Sequence, residues 1–397
     1  MFLQIHTLTS YHAALLNRDD AGLAKRIPFG GTERMRVSSQ CLKRHWRLAL
    51  NQTLKMPSGI RSRHFFKREV LRRAIAEGIP EETARELTIK LIASVMKSSK
   101  NKKKEKNENE NSRDKEDPLF LNQPVLFGRP EADYFVKLIR ECSESSEDPG
   151  EVLVSRMKEH KNNFRALLRA GGGSDLMAGI EGAMFGRFVT SDILARTDAA
   201  VHVAHAFTVH PLDNEVDYFT VVDDLKDPGE DAGAAHAGDM ELGAGLFYGY
   251  VVVDVPLLVS NLSGCDRGDW RGRQEAIADA KDVITGLVNA VATVSPGAKL
   301  GSTAPYARAE LVLLETGVTQ PRSLANAYLE AVQPRGDAMQ QAITRLGEHL
   351  ARMDGMYGAG EARFSASTRD TDGLPVGQPG PLEEVVRSAL NSLDRGV

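Results

Sequence analysis

The chain has little of what marks an exported, membrane-bound or nucleotide-hydrolysing protein. Its 397 residues include three cysteines, Cys41, Cys142 and Cys265, an odd number with no CxxC pair and no spacing that suits zinc. That usage fits a reducing, cytoplasmic setting. The opening Met1-Phe2-Leu3-Gln4-Ile5-His6 lacks the charged leader and long apolar stretch of an export signal. Asp254 and Pro256 break the most apolar run, Val251 to Val259, which falls far short of the ~20 residues of a membrane span. No G-x-x-x-x-G-K-[ST] occurs and no G-x-G-x-x-G leads from a strand into a helix, so neither an NTPase nor a dinucleotide-binding enzyme is supported. H-E-x-x-H and G-x-S-x-G are missing too, which removes the common metalloprotease and α/β-hydrolase plans. There is no fixed-period repeat.

What is present is a lopsided charge distribution. The net charge of −4 argues by itself against a polyanionic partner. Yet Arg18 to Arg73 holds 15 Lys and Arg against four acids, a local excess of 11, leaving −15 on the other 341 residues.

Leu3 and Ile5 alternate with Gln4 and His6, which predicts an opening strand with one face buried and the other available. Asn17 to Gly22 reads as a polar turn, and Phe29-Gly30-Gly31 as a second break where the backbone is free to take positive φ or approach a neighbour closely. Arg34 and Arg36 alternate with Met35 and Val37, so on a strand the two arginines share a face. Ser38-Ser39-Gln40 is a helix start with serine able to cap the first turn. Leu42, Trp46 and Ala49 then form a core stripe, with Lys43, Arg44 and Arg47 on the opposite side.

Residues 64–97 are mostly helical by pattern, broken at Gly78-Ile79-Pro80. Residues 97–117 hold seven Lys, one Arg, six acids and no apolar side chain, the composition of a disordered surface loop. From Ala199 to His210 the residues alternate strictly, and Val216 to Val222 reads as a strand returning after a turn at Pro211 to Glu215, so a projecting hairpin is expected. Leu246 to Val255 follows as a buried strand, Gln274 to Val294 as a helix and Leu311 to Leu314 as another strand. Gly355 to Pro381 is Gly-rich connecting sequence before a short final helix. This order fits an α+β fold with a helical insertion.

His202, His205 and His210 are the nearest thing to a metal cluster, but strand alternation turns His205 away from the other two, and they read as structural or surface side chains. Asp19-Asp20 and Asp223-Asp224 could hold a hard cation, although doubled aspartates at turns are ordinarily loop acceptors and caps. No cofactor and no metal is called for. The constellation that stands out is Arg18, Lys25, Arg34, Arg36, Lys43, Arg44 and Arg47. Arginines aligned at i, i+2 on a strand and followed by a serine-capped helix suggest a track for a polyanion, because a helix N-terminus attracts phosphate. Tyr218 and Phe219 on the hairpin would stack or wedge against bases, or, for Phe219, pack in the core.

These blocks resemble a known family. Asn17-Arg18-Asp19-Asp20, Phe29-Gly30-Gly31 and Arg36-Val37-Ser38-Ser39-Gln40 with Lys43-Arg44 look like the opening signature of the crRNA-binding backbone subunit of the type I-E CRISPR complex Cascade, the CasC family. Phe185-Gly186-Arg187, Val203-Ala204-His205-Ala206, Asp217-Tyr218-Phe219-Thr220, Asp223-Asp224-Leu225, Pro296-Gly297-Ala298-Lys299 and Leu324-Ala325-Asn326-Ala327 follow in the family's order.

The resemblance implies a right-hand shape. A modified RRM or ferredoxin-like palm spans 1–60 and 225–354, a helical fingers insertion 61–185, a β-hairpin thumb 190–224, and a tail 355–397. It implies a non-catalytic subunit that polymerises head to tail along crRNA, grips phosphates and segments the pairing of guide with target DNA. Its other partners are the large subunit, the small subunit, the 5′-end cap subunit and the crRNA endonuclease. Arg18, Lys25, Arg34, Arg36, Lys43, Arg44, Arg47 and Lys299, with Ser38, Ser39 and Gln40, are then the RNA-binding residues. Phe188, Tyr218, Phe219 and Val222 are the thumb wedge. The competing expectation is a metal-dependent ribonuclease like the type III backbone subunits, with Asp223 or Asp224 as the acid.

Overall fold

A computed structural model describes residues 1–96, 117–160, 179–187, 197–221, 236–297, 300–333, 335–377 and 379–395. Strands occur as β1 (Phe2–Ala14), β2 (Arg26–Phe29), β3 (Thr32–Val37), β4 (Gly59–Ser62), β5 (Val125–Gly128), β6 (Val201–Val203), β7 (Ala206–Thr208), β8 (Asn214–Val221), β9 (His236–Asp254), β10 (Leu311–Gly317) and β11 (Ala362–Ser367). The fold is α+β, and the chain divides into two units. One comprises Met1–Leu54, Val201–Val255 and Lys281–Val397, the other Lys55–Ala200 and Pro256–Ala280.

The first unit is built on an antiparallel sheet in the order β11-β10-β1-β9-β7-β3-β2, with β6 and β8 also pairing with β9. β1 lies between β10 and β9, from Phe2 opposite Gly317 and Asp254 to Leu8 opposite Leu311 and Tyr248. One face meets Leu42 and Trp46 of the helix Ser39–Thr53 and Val291 of the helix Gln274–Thr293. The other packs Leu8, Leu311 and Leu313 against Met339, Ile343, Leu346 and Leu350 of the helix Ala338–Tyr357. This corrects the expectation of an available face on β1, since Gln4 is 2% and His6 0% exposed.

A buried polar side chain on a two-sided strand needs partners, and these have them. His6 Nδ1 lies 2.9 Å from Tyr248 Oη, and His6 Nε2 lies 3.1 Å from Glu315 Oε2. Arg363 Nε donates to Glu315 Oε1 at 2.8 Å and Arg322 Nη2 at 3.3 Å, while Arg363 grips Asp354 with both terminal nitrogens. Burial alone would raise the Glu315 carboxyl, but His6, Arg322 and Arg363 hold it down at about 2. A carboxyl depressed in the folded state contributes stability that is complete above its ordinary range and is lost as pH falls toward the folded value. In urea titrations the wild type should therefore lose about 3 kcal/mol between pH 5 and pH 2 that Glu315→Gln does not lose. Equal slopes for the two proteins would contradict this account.

The expected hairpin is paired differently. Residues 201–208 do not form one strand but two short ones, interrupted at Ala204 and His205, and both join the main sheet through β9. The partner of β8 is β9, from Asn214 opposite Gly243 to Val221 opposite His236. One 19-residue strand thus supplies both the centre of the sheet and half of the hairpin. The tail also holds more structure than its glycines suggest, with β11 on the sheet edge and the helix Leu382–Arg395, whose Ser392 meets Thr316 of β10 at 2.6 Å.

In the second unit the expected helices appear as a π-helical turn Phe66–Leu71 running into the α-helix Arg72–Ala76, then Glu81–Val95, Arg129–Ser143 and Pro149–His160, with Gly78 at φ +94° in the break. Phe65 stacks on Phe127 at 4.1 Å between ring centres, and Phe66 and Phe135 complete an aromatic centre. Glu131, fully buried, accepts from the Gly128 N–H at 2.9 Å and from Arg187 Nη1 at 2.7 and 2.8 Å, and both side chains of this ion pair are essentially out of solvent. Asp117, counted with the charged loop, is ordered instead, accepting from Lys67 Nζ at 2.8 Å and from the Leu119 N–H at 3.1 Å. Residues 97–116 lie outside the described residues. Among the described residues no helix is long and apolar enough to cross a membrane.

Candidate nucleic-acid interface

Asn17 joins the polar turn to the first helix. Its Oδ1 accepts from the Ser38 N–H at 2.9 Å and its carbonyl from the Lys25 N–H at 2.9 Å. Asp19 closes the turn on itself, with Oδ1 accepting from Ala21 and Leu23 N–H at 2.9 and 3.0 Å, so it is a loop acceptor. Ala24 bridges Arg18 across the turn, leaving the Arg18 side chain exposed.

Ser38 caps the helix Ser39–Thr53, its Oγ accepting from Cys41 N–H at 3.3 Å. Being 6% exposed, Ser38 is engaged as the cap, while Ser39 is half-buried and Gln40 exposed. The buried stripe is Leu42, Trp46 and Leu50, with Ala49 only half-buried, because residues four apart form the ridge that meets the sheet. On the outer side Arg44 is exposed and Lys43 and Arg47 are half-buried.

The cations gather around the helix start. Burial raises the Cys41 thiol while the charges of Arg44 and Lys25 oppose it, and burial together with Arg36 and Lys25 lowers His205. Lys25 is therefore close enough to act on both side chains, with Arg44 beside Cys41 and Arg36 beside His205. Among the described residues no acidic side chain pairs with Arg18, Lys25 or Arg44. Unneutralised cations beside free helix N–H groups form a surface where an anion is favoured.

Two arginines expected on this surface are placed otherwise. Arg34 is 0% exposed, donating from Nε to Thr32 Oγ1 at 2.8 Å, from Nη1 to the Thr208 carbonyl at 3.0 Å and from Nη2 to the Tyr328 carbonyl at 3.1 Å. The Phe29-Gly30-Gly31 turn presses onto the same segment, and a Cβ at Gly30 (φ +61°) would run into the Leu329 carbonyl. Arg34 is thus an interior side chain that fixes the turn, with no surface for a phosphate to reach. Arg36 donates to the Arg26 carbonyl at 3.1 Å and lies 2.9 Å from His205 Nδ1, half-buried and partly engaged. Alternation put Arg34 and Arg36 on one face but could not say what covers that face.

On the hairpin, Val216 and Tyr218 alternate on one side of β8 and are 61% and 65% exposed. Phe219, on the other side, is half-buried with its ring over Gly238, its partner in the register, where a side chain would collide with it. Phe188, Val222, Lys299, Asp223 and Asp224 lie outside the described residues. Among the described residues no three His, Cys, Asp or Glu side chains gather as metal ligands. His210 is structural: Nε2 accepts from Leu246 N–H at 3.1 Å, so Nδ1 carries the proton it donates to the Pro211 carbonyl at 2.7 Å.

Sequence reasoning missed Glu241. It is 3% exposed and accepts from Ala24 N–H at 2.6 Å, from Arg26 Nη2 at 2.5 Å and from Asn214 Nδ2. Nothing local marks this residue, because its partners come from the turn, β2 and β8.

No curated protein matches the sequence. Among solved structures, the fold is similar to a chain of a CRISPR RNA-guided surveillance complex described as pre-nicking, with a TM-score of 0.78 and 22% identity over 99% of this chain and 100% of that one. A chain of another CRISPR RNA-guided surveillance complex matches with a TM-score of 0.67 and 21% identity, again over 99% and 100%. The family model described as CT1975-like protein matches residues 3–387, and the chain belongs to that family.

Proposed function

We propose that this chain is a non-catalytic crRNA-binding backbone subunit of a type I-E Cascade complex. It repeats head to tail along the guide, holds the guide's phosphates and divides its pairing with target DNA into segments. The observation that carries this reading is the cluster of Arg18, Lys25 and Arg44, without acidic partners among the described residues, around the Ser38-capped helix. It lies in a fold shared end to end with surveillance-complex chains. Lys43, Arg47, Ser39 and Gln40 extend the surface along the helix. The exposed Val216 and Tyr218 on the two-stranded hairpin supply the wedge, since apolar side chains raised on a ribbon can part stacked bases. Sequence selectivity passes to the guide, because phosphate contacts carry no sequence information.

Nuclease footprinting of the chain assembled on crRNA tests this: protection should recur at regular intervals with the guide intact, and random or absent protection would overturn the reading. Complementary RNA incubated with the assembled complex and Mg²⁺ should also survive. Cleavage at regular intervals, abolished by Asp223→Ala or Asp224→Ala, would establish a ribonuclease instead.

A further inference from the structure

We infer that Glu241 is a positioning residue for the cation surface, fixing Arg18 and Lys25 relative to the root of the hairpin and removing Arg26 from the charges a phosphate meets. This rests on the crRNA-binding reading above.

Glu241 stands on β9 opposite Val216, in the first turns of ladder where the hairpin leaves the sheet. Its two oxygens serve three donors from three parts of the chain. Oε2 takes the N–H of Ala24, whose backbone bridges Arg18 and precedes Lys25. Oε1 takes Arg26 Nη2 and the amide of Asn214, the first residue of β8. Any displacement of Ala24 carries Arg18 and Lys25 with it, whereas displacement of Asn214 tilts the strand that bears Val216 and Tyr218. One buried carboxylate therefore sets the distance between the phosphate grip and the wedge. The same ion pair, with Glu33 at 3.7 Å from Arg26, neutralises a cation at the start of β2 that would otherwise compete with its neighbours for the guide.

A carboxylate that only held the fold together would affect RNA binding equally whichever cations were present. One that acts through Arg18 and Lys25 should lose its effect when they are gone. The test is a double-mutant cycle read by anisotropy of a fluorescein-labelled repeat-spacer RNA transcript, with thermal melting of every protein in parallel. Glu241→Gln should weaken binding about tenfold in the wild-type background and less than about twofold in the R18A/K25A background. Equal losses in both backgrounds would overturn the inference while leaving crRNA binding intact. Failure of the wild type itself to bind would remove the parent reading as well. Should Glu241→Gln melt without a cooperative transition, Glu241→Asp takes its place in the same cycle, since it keeps the charge and shortens its reach.

Discussion

Replacing Arg18, Lys25 and Arg44 together by alanine should weaken crRNA binding about a thousandfold near physiological salt, taking ~1.5 kcal/mol for each charge-assisted phosphate contact. The slope of log affinity against log salt should flatten by about 2, since each phosphate neutralised on a single strand contributes ~0.7 through released counterions. Both quantities come from one anisotropy series at several salt concentrations. The slope decides: a general loss of folded protein lowers the amplitude at every salt but leaves the gradient alone. Arg34→Met provides the internal control. Its guanidinium is enclosed by the carbonyls of Thr208 and Tyr328, so its loss should cost stability and leave the gradient of the folded protein unchanged. A flattened gradient in Arg34→Met, or an unchanged one in the triple variant, would contradict the assigned surface.

The second large effect concerns the other unit. Arg187→Met leaves the Glu131 carboxylate buried without its counter-ion, which should cost about 3–5 kcal/mol of unfolding free energy. Neutralising the carboxylate as well should restore much of the loss. In Arg187→Met/Glu131→Gln the amide oxygen can still accept from Gly128 N–H, and only the charge is gone. The two tryptophans make the measurement local, because Trp46 belongs to one unit and Trp270 to the other. In a Trp46→Phe background, urea unfolding followed by Trp270 fluorescence should shift to lower denaturant in the single variant and return toward the parent in the double. An unshifted transition would show that water or a rearranged partner compensates the carboxylate.

How far the sequence could be read depended on the range of the interaction. Ser38, Leu42 and Trp46 lie within a few residues of one another, and the capped helix they describe is present. Gly78 likewise breaks the helices of the second unit where expected. The hairpin partner was misjudged for a physical reason. Residues 199–210 alternate as a strand should, but alternation reports which way side chains point and not which strand lies alongside. The true partner, His236–Gly243, follows a glycine-rich stretch with little β character. Arg34 shows the same gap, since its burial is imposed by Tyr328 from nearly three hundred residues away. The strand β11 was obscured by Gly355, Gly358 and Gly360, which precede it and lent residues 355–381 a loop-like composition. The resemblance of Phe185-Gly186-Arg187 to a family block singled out an arginine whose partner, Glu131, had no mark of its own.

The continuity of β9 has a mechanical side. A hairpin attached by a flexible joint would swing under any pull at its tip, but here the pulled backbone, His236–Gly243, continues without a break into the part of the same strand that lies between β1 and β7. Ladder hydrogen bonds lie across the strand direction, so tension drawn along β9 loads them in shear, all together, instead of peeling them apart one pair at a time. The ribbon is therefore a stiff tooth rooted in its jaw, able to lean on a strained polymer without working loose.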